Sequence, residues 1–412
     1  MKNLRKISIL SILLIISISG IFFTSKVSAC NSTDSVLKKR IPKDNTGMSR
    51  SRIIAEWRTS NGQEYLYIEA PNHLVLGLIE GHFLQDKITY MKNVLIQQAL
   101  ALNMTYDDFI NLALQYETSI PFKYKIEMRT MAFAIKDISY QDILVQNTMW
   151  DGFYGIITPL LSGFQQPPLI EGGCSVIAYK NQSVVRISQN IDLSQMLTPA
   201  CAWVYHKVGS SPAVFSFRIG SQLSFGGINS NHITTGINLV ETLILAEPSL
   251  PIPVKYRLAL ESSNLEEVYE TIIDNGFGCG WQFILTSNNE MYSIELIPNT
   301  YVSKTIESGY IFDANIYENP LFQAFMIPPN ENELFRNQKI PELCENFLVT
   351  DGDLTLIELM EIISHEGIAR TPQSSNPMEA ETSGFYSFDH NLNKGYFGLG
   401  NARDSSWGRI PL

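Results

Sequence analysis

One stretch of the chain carries residues whose types and order suit nucleophilic chemistry: "EGGCSVIAYKNQSVVRISQNIDLS", from Glu171 to Ser194. Cys174 follows two glycines and opens a strand-like run; a second such run ends in Asn190-Ile191-Asp192. A thiol attacks only as its thiolate, and the ordinary cysteine pKa of about 8.5 leaves it mostly protonated at neutral pH. If the Gly173–Cys174 bond were cut, the freed α-amino group, ordinarily titrating at about 7.7–8.0, would sit on the thiol's own residue and could take its proton. Gly172 and Gly173 would let the thiol reach the preceding carbonyl with no side chain in the way. Read as a hairpin turning at Lys180-Asn181, the stretch pairs Cys174 with residue 187 or 188 and brings Asn190 and Asp192 close, where Asp192 could orient the amine. The competing reading is a buried structural cysteine after a glycine turn.

Those residues need elements to hold them. "IIAEWRTSNGQEYLYIEA" alternates around Asn61-Gly62 and predicts a hairpin over 53–68. Thr105 with Asp108, Ser263 with Glu266 and Thr355 with Glu358 open amphipathic helices, the first over 106–117 and the last stopped near Gly367. Strand-like runs occur at 175–179, 183–189, 213–219, 233–239, 282–287, 291–297, 384–389 and 395–399. Several are neighbours joined by short polar turns such as Ser287-Asn288-Asn289, which favours antiparallel hairpins over βαβ crossovers. The chain up to about residue 170 reads as mostly helical and the rest as sheet-dominated, with Gln165-Gln166-Pro167-Pro168 as an exposed connector between them.

The first residues combine Lys2, Arg5 and Lys6 with an apolar run from Ile7 to Phe23 and then Val27-Ser28-Ala29, the pattern of an export signal cut after residue 29. An uncleaved membrane anchor is the second reading. Val27-Ser28-Ala29-Cys30 also loosely matches a lipid-attachment site, so membrane association through the leader or Cys30 stays open. Asn31, Asn103 and Asn181 head glycosylation-type triplets, and localisation is read as secreted or exported, whether membrane-anchored or lysosomal. The formal charge of −11 becomes −15 once the leader's four basic residues are removed, and such an acidic surface argues against nucleic acid. Five cysteines (30, 174, 201, 279, 344) are an odd number, so at least one lacks a disulfide partner within the chain.

The order of several motifs resembles the acyl-coenzyme A:6-aminopenicillanic-acid acyltransferase-like family of N-terminal-nucleophile enzymes. Gly173-Cys174-Ser175 and Asn190-Ile191-Asp192 match its signature. "VLGLIEGHFLQDKI" (75–88) resembles the family's early Gly-x-x-x-Gly segment, "GGINSNHITTGINLV" (226–240) and "NGFGCGWQFILTSNNEMYSIEL" (275–296) resemble later ones, and "GYIFDANIYENPLF" (309–322) sits where the family has His-x-Asn-His. The resemblance spans about residues 53–405. It implies an α+β fold, an αββα sandwich of two mainly antiparallel sheets, preceded by a mostly helical pro-segment. The implied division is a signal peptide (1–29), a pro-segment (30–173) and a catalytic core (174–412). It further implies Cys174 as nucleophile and new N-terminus, Asp192 holding the α-amino group and Asn315 donating to the oxyanion, with Asn190 and Arg370 binding substrate. Both histidines flanking the family's asparagine are absent here, where the chain reads Asp313-Ala314-Asn315-Ile316.

Rival chemistries have weaker patterns. There is no G-x-S-x-G elbow and no HExxH, and the six histidines (73, 82, 206, 232, 365, 390) are scattered, so neither metal nor cofactor is expected. Cys279, between two glycines, has no Asn-x-Asp after it, and neither has Cys30. Glu80 and His82 in their glycine-flanked segment read as helix packing. The expected activity is hydrolysis or transfer at a small-molecule amide through a Cys174 acyl-enzyme, and whether the cut segment stays bound as a second chain is left open by the sequence. The alternative is an exported, non-catalytic ligand-binding protein on the same scaffold.

Overall fold

The computed structural model describes residues 53–161 and 172–412, apart from Ser183, Asn275 and Gln373, and all of these fall in one unit, Arg50–Leu412. The leader, Cys30, Asn31 and the 165–168 connector lie outside the described residues. Alternating apolar runs build two sheets. The nine-stranded sheet contains β1 (Ile54–Ser60), β2 (Gln63–Ala70), β5 (Cys201–Val208), β6 (Val214–Ile219), β7 (Gly227–Asn229), β8 (Thr234–Leu239), β9 (Trp281–Thr286), β10 (Met291–Ile297) and β11 (Thr300–Thr305), in that spatial order. The six-stranded sheet runs β12 (Gly309–Asp313), β3 (Gly172–Asn181), β4 (Val184–Ser194), β13 (Ala380–Asp389), β14 (Lys394–Leu399) and β15 (Gly408–Arg409). All strand pairs are antiparallel except β2 with β5. The fold is therefore mixed α+β with two sheets, as expected.

The sheets pack face to face where β3 and β4 meet β8. Gly236 makes the close approach possible: a Cβ there would lie 2.5 Å from Val176 Cγ1. Helices cover the outer faces. On the nine-stranded side are α1 (His73–Phe83), α2 (Gln85–Ala101), α3 (Tyr106–Tyr116), α4 (Phe122–Ala134), α5 (Tyr140–Gly152), α6 (Ile252–Leu260) and α7 (Leu265–Ile273), while α8 (Glu331–Asp351) and α9 (Leu356–Ile363) lie on the six-stranded side. Thr105–Asp108 and Thr355–Glu358 form the expected capping boxes, each satisfying two orphan N–H groups. The cap of α7 falls one residue later than expected, at Asn264 with Glu267. The Asn264 carboxamide reaches the Glu267 N–H at 2.9 Å, which sets that helix's start.

Gly77 and Gly81 are the helix-packing feature anticipated for their segment. Any Cβ there would meet the backbone oxygens of Glu127 and Met131 on α4 at 2.1 and 2.4 Å. That close crossing also buries a set of charges. Glu80 accepts from Arg218 at 2.7 Å, Glu127 pairs with His73 at 2.5 Å and faces Arg257 at 3.6 Å, and Glu261 takes Arg257 at 2.6 Å and Lys123 at 2.6 Å. His73, Glu80, Lys123 and Glu127 precede Gly173 in the chain, whereas Arg218, Arg257 and Glu261 follow it.

Candidate active site

β3 and β4 pair with Cys174 opposite Ile191, Gly173 opposite Asp192, Ser175 opposite Asn190 and Asn181 opposite Val184. The expected partner of Cys174, 187 or 188, is therefore corrected to 191. The turn lies later than Lys180-Asn181: Gln182 takes φ +39°, a left-handed conformation that closes the hairpin just past the Asn181–Val184 pair. Longer pairing brings Asp192 directly across from the residue before the thiol.

Strand alternation then divides the site between two faces. Cys174, Val176 and Ala178 join Ile187, Ile191 and Ile237 in the core between the sheets, while Ile177 and Tyr179 pack with Ile340 and Ile363 on the helical side. Gly173 and Asp192 lie on that helical side too, where a Cβ on Gly173 would meet Asn315 Oδ1 at 3.4 Å, Arg370 Nη1 at 3.6 Å and Arg336 Nη2 at 3.9 Å.

Asn315 follows the end of β12, at φ +66°, a backbone region that asparagine tolerates better than most residues. Its Oδ1 accepts from the Cys174 N–H at 3.2 Å and from Arg336 Nη2 at 2.9 Å, and its Nδ2 donates to Leu239 O at 2.6 Å. Arg336, fully buried, also donates to Cys174 O, to Ser175 Oγ at 3.1 Å and to Asn332 Oδ1 at 2.9 Å. Asp192 accepts from Thr382 Oγ1 at 2.7 Å, and the same hydroxyl accepts from the Arg370 N–H at 2.8 Å. The second Asp192 oxygen is buried with no hydrogen-bond partner among the described residues. Asn190 turns to the Ile363 and Ile368 carbonyls at 2.6 and 3.4 Å, which makes it a brace for the loop after α9.

Burial, then the charge of Asp192, pushes the Cys174 thiol up to about 12. Burial also raises the Asp192 carboxyl, against the opposing pull of Arg336 and Arg370. Cys174 is 2% exposed, so burial closes the thiol off from solvent and favours its protonated form. Cys201, Cys279 and Cys344 are likewise buried, and none of these four described cysteines forms a disulfide. Among the described residues no group of three or more His, Cys, Asp or Glu side chains could hold a metal ion.

Sequence reasoning missed Arg336, Thr382 and Gln189. Arg336 had a readable signal: it stands four residues before Ile340 and eight before Cys344, and all three line the buried stripe of α8. Thr382 had none, because its register opposite Asp192 depends on an irregularity in β13 between Thr382 and Gly384.

No protein-family model matches the chain, and no curated protein matches its sequence. Among solved structures the chain is similar to penicillin V acylase from Agrobacterium tumefaciens, with 12% identity and a TM-score of 0.36 over 55% of this chain and 83% of that one.

Proposed function

We propose that the chain is a self-processing cysteine amidohydrolase or acyltransferase, cut before Cys174, on the αββα scaffold of N-terminal-nucleophile enzymes. The observation that carries this reading is the convergence of Asn315, Arg336 and Arg370 on the Gly173–Cys174 peptide, with Asp192 opposite Gly173. In processing, the Cys174 sulfur attacks the Gly173 carbonyl carbon, the peptide C–N bond breaks as the nitrogen takes a proton, and water hydrolyses the resulting thioester. The new α-amino group then stands where the peptide N–H met Asn315 Oδ1. Two guanidinium groups nearby favour its neutral form, so it can accept the thiol proton, and the unpaired Asp192 oxygen can hold it.

In turnover the thiolate attacks the acyl carbon of a small-molecule amide. Charge develops on its oxygen, and the second hydrogen of Asn315 Nδ2, the one not given to Leu239, can stabilise it. The amine leaves with the proton held by the α-amino group, and the thioester passes its acyl group to water or to another amine. Arg370 is the proposed substrate-binding cation. Export by residues 1–29 and retention of 30–173 as a second chain belong to the same proposal.

The closed, protonated thiol favours a second reading, a non-catalytic binding protein on this scaffold. N-terminal sequencing and intact mass of the purified protein beside Cys174→Ala separate the two. Two fragments, one beginning Cys-Ser-Val-Ile and absent from the variant, are expected; a single uncut chain in both overturns the proposal.

A further inference from the structure

The thiol and the groups around its peptide nitrogen lie on different sides of β3, so the residues that meet the sulfur are those of the core face. Val176 pairs with Gln189, and Gln189 pairs with Tyr386, which places Gln189 two residues from Ile191 on the face that Cys174 occupies. Diagonal neighbours of this kind lie within reach of a long side chain. Gln189 is fully buried and held across the gap between the sheets: its Nε2 donates to Ile237 O at 2.7 Å and its Oε1 accepts from Ile237 N at 3.4 Å. One hydrogen of Nε2 remains, and Gln189 stands diagonally across the β3–β4 pair from Cys174, on the same face, where its amide opposes the upward push of burial on the thiol.

The other polar groups of this face are committed elsewhere. Tyr386 and Tyr256 both donate their hydroxyl hydrogens to Thr235 O, at 2.8 and 3.4 Å. The two-point tether fixes the Gln189 amide plane, so its free N–H has a set direction. A carboxamide held in place by the opposite sheet costs no reorganisation when negative charge appears beside it.

We infer that Gln189 is a catalytic residue that stabilises the Cys174 thiolate through its free Nε2–H, and that the β8 backbone at Ile237 sets its reach. This rests on the reading of Cys174 as the nucleophile. No bond to carbon forms or breaks: the proton leaves Sγ for the α-amino group and the sulfur lone pair accepts the amide N–H. Hydrogen bonds to charged groups are stronger than neutral ones, so the effect concentrates on the thiolate.

The test compares wild type, Gln189→Leu and Gln189→Glu. N-terminal sequencing first reports whether each chain is cut before Cys174. The rate of Cys174 alkylation by iodoacetamide, followed by peptide mass spectrometry, is then measured against pH. Both variants are expected to shift the midpoint of that profile upward, slowing alkylation about tenfold at a fixed pH below it. Gln189→Glu retains the shape and the acceptor for the Ile237 N–H while losing both Nε2 donors, so it keeps the test open if Gln189→Leu does not fold. An unshifted midpoint in the folded variants, even with a lower melting temperature, makes Gln189 a structural pin and overturns the inference. An uncut wild-type chain overturns the processing reading and, with it, the α-amino acceptor that this inference needs, whereas a cut wild type with unshifted variants overturns the inference alone.

Discussion

Arg336 shows how much one side chain can decide. Its guanidinium is fully buried and serves Cys174 O, Ser175 Oγ, Asn315 Oδ1 and Asn332 Oδ1 at once. Arg336→Met would strip those acceptors of their donor in a dry interior and leave Asp192 with Arg370 as its remaining neighbouring cation. A loss of about 3–5 kcal/mol in urea unfolding is expected, with no processing at Cys174. Arg336→Lys is expected to recover little, because a single ammonium cannot span the same fork of acceptors. Such a residue was only half legible in the sequence. The spacing from Arg336 to Ile340 to Cys344 puts all three on one stripe of α8, but nothing local says that the stripe ends at the peptide before the thiol. The nearness of Asp192 to the Cys174 peptide was legible because glycines precede one residue and a short strand-like run leads to the other. Thr382 was invisible, since long-range register places it.

At the scale of elements, strand alternation gave most of the sheets, and the hairpin at Asn61-Gly62 closed as its turn residues required, with Asn61 at φ +47° and Gly62 at φ +84°. β5 escaped because its sequence is apolar almost throughout, with no alternation to read. That is the cost of burial on both faces. The β3–β4 register was misjudged by a few residues since a non-glycine, Gln182, takes the left-handed position in the turn. Close sheet packing rests on one missing side chain. Gly236→Ala is expected to cost about 1–3 kcal/mol by driving a methyl into Val176. Pairing it with Val176→Ala should return part of that loss in a double-mutant cycle of denaturation midpoints.

Across the whole molecule, buried carboxyls shape the response to pH. Asp151, at the end of α5, accepts from the Ile252 N–H at 2.9 Å, and burial pushes it up to about 7 against the pull of that N–H and of Lys255. The folded state thus binds more protons than the unfolded chain between about pH 4 and 7. This contribution is fully present below the unfolded pKa and is lost as pH rises through the folded one. Asp151→Asn should remove it, so variant and wild type should diverge on the order of 4 kcal/mol across that window, with the variant gaining as pH rises. Urea unfolding at three pH values measures it, and parallel curves would contradict it. Burial acts oppositely on His390, which is lowered to about 3 and disfavours acid instead.

The parallel pairing of β2 with β5 joins residues 66–70 to 204–208, one partner on either side of Gly173. In the intact chain that pairing closes a loop, an intramolecular search whose entropy grows only slowly with loop length. Once the bond before Cys174 is cut, the same pairing becomes an encounter between two molecules. The processed protein would then be held by the slowness of its unfolding, with a route back that depends on concentration. Refolding from urea should be independent of protein concentration for Cys174→Ala and should slow on dilution for the processed wild type. The cut would make folding a step that each molecule completes once.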